Sequence, residues 1–323
     1  MTQKKIIFFL LLAICCFPAQ AGGADEVLKQ TFVYSIKGND SLRLDKYNVP
    51  LIQAPKPCLI FVFGGGFAIG SRDYESYISF YEQFARQGYV VVAIDYRLGM
   101  KDFKKTIAPD MGQLKLFKHL VRTLVHTLDI AVEDLFDATN YVLEHASEWG
   151  VRPEALISCG SSAGAITVLQ GEYEICSGGR LSERLPQGFN YAGVISFAGA
   201  IFSQKGHLKW IKKPAPIQLF HGDMDREVPY DKLKFRQLGF FGSRHIAAQF
   251  EQLGYPYYFY SVENATHEMA GKPMTENLDE INTFIDKLVF KKENLMIHTC
   301  VKPTLKSGAK KKPKLKDYMT NYL

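Results

Sequence analysis

The segment Gly160-Ser161-Ser162-Ala163-Gly164 directly follows the apolar run ALISC and opens a stretch with helical spacing. G-x-S-x-G between a strand and a helix forces a tight, strained turn, and the flanking glycines are needed because a side chain there would strike neighbouring backbone. The turn pushes its middle residue outward. Ser162 is therefore expected to present its hydroxyl at the carboxyl end of a strand, near the start of a helix. A serine hydroxyl attacks poorly at neutral pH unless a positioned base takes its proton, and that base needs a third group to hold its tautomer. The chemistry implied is acyl transfer through a covalent intermediate.

Eight histidines compete for the role of base. His119, His126 and His145 precede Ser162 and fall on helical stretches, whereas His207, His245 and His298 lie in polar or helical surroundings with no strand end before them. His221 ends a strand and reads as a structural turn residue. His267 follows the last strong strand, in a loop (263–268) from which a side chain can reach the carboxyl edge of a sheet, and is the expected base. The acid is sought in the loop His221-Gly222-Asp223-Met224-Asp225-Arg226-Glu227-Val228-Pro229. Asp223 comes early and suits side-chain to backbone bonding within the turn, leaving Asp225, deeper in the loop, as the candidate acid. The order Ser162, Asp225, His267 suits a nucleophile elbow. Donors for a developing oxyanion are expected from Gly65 and Gly66, in the glycine run that ends the strand CLIFVF, and from Ala163 after the nucleophile. A phosphate cradle would need a Lys-Ser/Thr ending or a G-x-G-x-x-G spacing with an acidic partner, and the run has neither. No cofactor and no metal site is expected.

These residues need a scaffold that brings several strand ends together. Apolar runs at 58–63, 89–96, 155–160, 192–200, 215–222 and 256–263 alternate with amphipathic helical stretches at 74–87, 132–147, 163–172, 243–253 and 276–290. Runs apolar on both faces suit a parallel sheet covered by helices, and the alternation implies an α/β fold with a mostly parallel central sheet. Residues 31–38 and 42–49 read as an antiparallel hairpin at its edge. The connection 99–130 is long, with helical spacing over 111–127, and reads either as a lid or cap insertion or as an extra surface helix. Cys58, Cys159, Cys176 and Cys300 are too few and scattered for a disulfide framework. Cys58 and Cys159, even on neighbouring strands, should sit about 15 Å apart as separate buried thiols.

With these segments in order, FGGGF, DYRL (95–98), AVEDLFDATNYV (131–142), GSSAG, HGDMDREVP and NATHE, the chain resembles the carboxylesterase and hormone-sensitive-lipase-like side of the α/β-hydrolases over roughly residues 30 to 290. The resemblance implies an α/β-hydrolase fold and ester hydrolysis through an acyl-enzyme. Phe63 stands where that family usually has the histidine of H-G-G-G, Gly99-Met100 replaces the usual Ala/Ser-Pro after DYRL, and Ser161 replaces a frequent aspartate.

Residues 1–21 carry Lys4 and Lys5 before twelve apolar residues and end on small residues, the layout of a secretory signal peptide cleaved after Ala21. A spanning helix needs roughly 20 apolar residues. Cys15 and Cys16 leave a lipoprotein as the minor alternative. The expected product is a catalytic domain over 22–300, secreted or periplasmic, with a basic, disordered tail at 301–323. From Lys302 onward there are seven Lys and one acid, while the body from Gly22 to Val301 holds 30 basic and 32 acidic residues. The tail is therefore the part that could contact anionic surfaces, and the balanced body argues against nucleic acid as a partner. The expected partner is a small-molecule ester. Export and the aromatic loop residues Phe63, Phe67, Tyr74 and Tyr77 suggest acylated carbohydrate. Two other functions share these residues: a serine peptidase of the same fold, whose usual gating domain is not evident in this chain, and a catalytically silent binding protein. Asn264-Ala265-Thr266 is an N-glycosylation sequon by pattern, but its closeness to His267 predicts that Asn264 is unmodified and shapes the loop.

Overall fold

The computed structural model describes residues 26–50, 55–302, 313, 317 and 318. The apolar runs become strands of one nine-stranded sheet. In chain order its strands are β1 (Leu28–Lys37), β2 (Asp40–Asn48), β3 (Lys56–Val62), β4 (Val90–Ile94), β5 (Val151–Ser161) and β6 (Gly193–Phe197). A short strand outside it, β7 (Ala200–Ser203), precedes β8 (Ile217–Gly222); β9 (Lys232–Phe235) and β10 (Leu238–Gly242) also lie outside, and β11 (Tyr257–Val262) and β12 (Met296–Val301) complete the large sheet. Its order is β1-β2-β4-β3-β5-β6-β8-β11-β12. The β1–β2 hairpin joins β4 antiparallel, and every pair from β4 to β12 is parallel. All residues of β4 and β6 are buried, as apolar strands covered on both faces must be.

The covering helices are α1 (Glu75–Arg86), α2 (Gln113–Glu144), α3 (Ala146–Trp149), α4 (Ala163–Ser177), α5 (Ser243–Leu253), α6 (Pro273–Glu276) and α7 (Leu278–Phe284), the last continued by a π-helical turn, Ile285–Phe290. Three features differ from the sequence expectation. The helical spacing at 111–127 and the helix expected at 132–147 form a single 32-residue helix, α2, because no Gly or Pro interrupts residues 113–144. The run 192–200 holds two strands. Ala198 turns left-handed at φ 57 and directs the chain out of the large sheet, so that β7 pairs with β10 and β10 with β9 in a separate three-stranded sheet. Finally, β12 extends the large sheet beyond Phe290, where the apolar pattern weakens.

Cys58 and Cys159 are buried free thiols on adjacent strands. Cys159 pairs with Phe61 and Cys58 with Leu156, a three-residue offset of about 10 Å rather than 15 Å. Among the described residues no helix is long and apolar enough to cross a membrane. The expected signal peptide and most of the basic tail lie outside the described residues.

Candidate active site

β8 and β11 are neighbours, so the loops leaving their carboxyl ends meet, and only β6 separates β8 from β5 at the same edge of the sheet. At the end of β5 Ser162 adopts φ 51 and ψ −116, a strained conformation of the kind that costs about 1–3 kcal/mol and is held only by its surroundings. The flanking glycines make it feasible: a Cβ on Gly160 would lie 2.3 Å from the Gly164 carbonyl oxygen, and one on Gly164 2.0 Å from that of Val62. The Ser162 N–H donates to the Phe197 carbonyl at 2.8 Å, which fixes the elbow to β6.

His267 Nε2 lies 2.8 Å from Ser162 Oγ, and its Nδ1 lies 2.7 Å from Asp225 Oδ2. Asp225 Oδ1 accepts the N–H groups of Glu227 and Val228 at 2.8 and 3.0 Å, so the carboxylate is held by its own loop. Asp223 ties the two loops together: its Oδ1 accepts the Asn264 N–H at 2.6 Å, and the Met224 N–H donates to the Ala265 carbonyl at 2.9 Å. Asn264 itself sits at φ 62, a left-handed turn position that asparagine tolerates.

One contact was not read from the sequence. His221, fully buried, brings Nε2 to 3.3 Å from Asp225 Oδ2 while its Nδ1 lies 2.8 Å from Ser243 Oγ. A hydroxyl donating to Nδ1 leaves the proton on Nε2, facing the acid and the Val228 carbonyl at 3.2 Å. The only sequence signal was that His221 ends a strand, which equally suits a turn residue. Burial pushes the Asp225 carboxyl up, but the hydrogen bonds from His221 and His267 outweigh it and hold the group well below the usual carboxylate range. Burial pulls His267 down, and Asp225, with Glu227 and Glu268 further off, more than compensates, so the imidazole titrates above its ordinary value.

Gly65, Gly66 and Ala163 line one pocket with Ser162, a cavity of about 260 Å³. Gly65 is at φ 127, where an added Cβ would meet the Ile69 carbonyl oxygen at 2.0 Å, so the loop cannot hold its course with any other residue. A hydrogen-bond chain supports it. The Gly64 N–H donates to Tyr77 Oη at 3.3 Å, Tyr77 donates to Ser161 Oγ at 3.4 Å, and Ser161 donates to the Ala270 carbonyl at 2.8 Å, near His267. Phe63 turns inward onto Tyr96, ring centroids 4.5 Å apart, and Tyr96 Oη donates to the Phe63 carbonyl at 3.0 Å. Phe63 is buried and Tyr77 packs on Phe61, so two of the four aromatic residues that suggested a sugar serve the loop's interior, while Phe67, although buried, lines the Ser162 pocket. In the DYRL segment, Arg97 forks onto Asp134 of α2 at 2.7 to 3.0 Å. Among the described residues no group of three or more His, Cys, Asp or Glu could hold a metal ion.

The sequence profile of the family described as BD-FAE matches residues 44–112. Gut esterase 1 of Caenorhabditis briggsae is 32% identical over 137 residues, 42% of this chain and 22% of that protein. A probable isoprenylcysteine alpha-carbonyl methylesterase of Arabidopsis thaliana is 25% identical over 280 residues, 74% of this chain and 51% of that one. The chain thus spans less than two thirds of the length of these curated relatives. Among solved structures, propionate-bound esterase 2 of Thermogutta terrifontis superposes with a TM-score of 0.57 at 20% identity, covering 81% of this chain and 95% of the other. Sheet order, elbow and loop positions give the chain an α/β-hydrolase fold, and the proteins it is similar to are named as esterases.

Proposed function

We propose that the protein is an exported serine hydrolase that cleaves carboxylic esters through an acyl-enzyme. The observation that carries this reading is the hydrogen-bonded series Ser162–His267–Asp225, with the serine on a strained elbow in a pocket shared with Gly65 and Gly66. Ser162 Oγ attacks the ester carbonyl as His267 Nε2 takes its proton. Asp225 holds the imidazole with Nδ1–H toward itself and stabilises the imidazolium, and the N–H groups of Gly65, Gly66 and Ala163 receive the oxyanion. His267 then returns the proton to the leaving alcohol. Water, deprotonated by His267, releases the acid and restores Ser162. His221 acts one step removed, as a second donor that keeps Asp225 ionised and oriented. The signal-like residues 1–21 support secretion or export to a periplasm, and a mature N-terminus at Gly22 is expected from N-terminal sequencing of the native protein.

A fluorophosphonate probe tests the reading, since it labels only an activated serine. Labelling at Ser162 with hydrolysis of short model esters is expected, and Ser162→Ala should lose both, with a fall in turnover on the order of 10⁴ to 10⁶. A silent binding protein would take no label. A peptidase would be labelled but would cleave peptide amides in preference to esters. Near-normal ester turnover by Ser162→Ala would refute the assignment.

A further inference from the structure

A second cavity, of about 110 Å³, adjoins the Ser162 pocket and shares with it Ile166, Glu227 and Val228. Its wall is built from the two features least evident in the sequence. The first half of α2 supplies residues such as Phe117 and Leu124, and the three-stranded sheet supplies Phe202, Leu233 and Phe240. Among the described residues, only Glu227, at the junction, and Tyr318 bring polar side-chain groups to the lining. A chamber of this composition offers a sugar hydroxyl almost no partner, and each one buried unpaired would weaken binding. Hydrocarbon gains there by leaving water.

Tyr318 belongs to the lysine-rich C-terminal segment, yet its ring lines the chamber and its Oη donates to the Asp225 backbone carbonyl at 2.9 Å. Burial pushes the phenol up to about 12, so it remains a neutral donor at physiological pH. The anchor is the backbone of the residue that also holds His267. The ring therefore stands at a set position relative to Ser162.

We infer that this chamber receives the hydrocarbon chain of the ester and that Tyr318 is a specificity-determining residue, limiting the length of chain accepted. The inference rests on the proposed ester hydrolysis and narrows its substrate class to lipophilic esters. A water needs about 10–15 Å³ of such space, so at about one methylene per water-sized space the chamber takes a chain of roughly seven to eleven carbons.

The test measures kcat/KM for the full-length protein on two series. One varies the acyl chain from two to sixteen carbons with p-nitrophenol as alcohol, and the other varies a linear alcohol with acetate as acid. In one series kcat/KM should climb about fourfold per methylene, then fall beyond roughly ten carbons, and the series that does so tells which side of the ester enters the chamber. Tyr318→Ala should move that optimum to longer chains by two carbons or more, whereas Tyr318→Phe, which keeps the ring but loses its hydrogen bond, should move it less than Tyr318→Ala does. Leu238→Trp, which adds bulk to a partly exposed wall residue, should move it to shorter chains. Profiles flat in both series, or an unmoved optimum in both Tyr318→Ala and Leu238→Trp, overturn the inference even if Ser162 is labelled and acetate esters are cleaved. If no ester is cleaved and Ser162 is unlabelled, catalysis fails separately, and calorimetric titration with octanol and dodecanol decides the chamber. Binding of octanol by the wild type, with a shift towards dodecanol in Tyr318→Ala, sustains it; no binding removes it.

Discussion

His267 faces two carboxylates of different character, the fully buried Asp225 at Nδ1 and the largely exposed Glu227, whose Oε2 lies 3.6 Å from Nε2. Both favour the imidazolium. Acylation requires the neutral ring, so kcat/KM should rise with pH through a midpoint above the ordinary value of 6.5. Glu227→Gln removes one of the charges that raises that midpoint and should displace the limb to lower pH, by a few tenths of a unit because the group is solvent-screened. A limb that stays put or moves upward would show that Glu227 does not act on His267. The same shift has a stability side. The raised His267 value means that its protonation stabilises the fold below about 6.5 and that this contribution is lost as pH climbs through the folded value. Asp225 is depressed and behaves oppositely, stabilising above its unfolded value near 3.8 and losing that contribution as pH falls through the folded one. Asp225→Asn should lower turnover by about 10⁴, since an amide cannot hold the Nδ1–H tautomer in the same way. Turnover within tenfold of wild type would mean that another group orients His267.

At the scale of elements, α2 is fixed to the sheet by the Arg97 fork. Asp134 is fully buried; desolvation pushes its carboxyl up and Arg97 opposes this by hydrogen bonds to both oxygens. Arg97→Ala leaves a buried acid without its cation and should cost about 3 kcal/mol in urea unfolding at neutral pH. The loss should shrink in acid, because a protonated Asp134 needs no cation, and a loss independent of pH would argue that Arg97 acts through packing alone. Much of this architecture was legible. Each of Ser162, Asp225 and His267 follows an apolar run long enough to be a strand, and such residues gather wherever parallel strands end together. The small sheet was hidden because KLKF and LGFFG are too short to show a period, and because β7 continues an apolar run whose break is a left-handed alanine. β12 was missed because its residues alternate between exposed and half-buried, as at a sheet edge, and carry no apolar run. The two spacings at 111–127 and 132–147 looked separate because the apolar face of α2 changes its partner, from the chamber to α4 and the sheet, partway along.

Across the whole molecule, charge is divided by region: a body with 30 basic and 32 acidic residues from Gly22 to Val301, and seven Lys against one acid beyond it. The body's near-neutrality gives it no long-range pull on an anionic surface, whereas lysines near such a surface contribute about 1 kcal/mol each in low salt. Tyr318 follows directly on those lysines, so the residue that lines the chamber stands beside the stretch suited to anionic lipid, and simple truncation would confound the two roles. Replacing Lys306, Lys310, Lys311, Lys312, Lys314 and Lys316 by Gln removes the charge while keeping Tyr318. Co-sedimentation with phosphatidylserine-containing vesicles is expected for the wild type at low ionic strength and should weaken steeply as added salt shortens the screening length to about 8 Å near physiological strength. The six-fold Gln variant should stay in the supernatant under both conditions, with its preference for ester chain length unchanged. Equal sedimentation of the two proteins at low salt would assign any membrane affinity to the body. A shifted chain-length optimum in the Gln variant would mean instead that the lysines help to seat Tyr318.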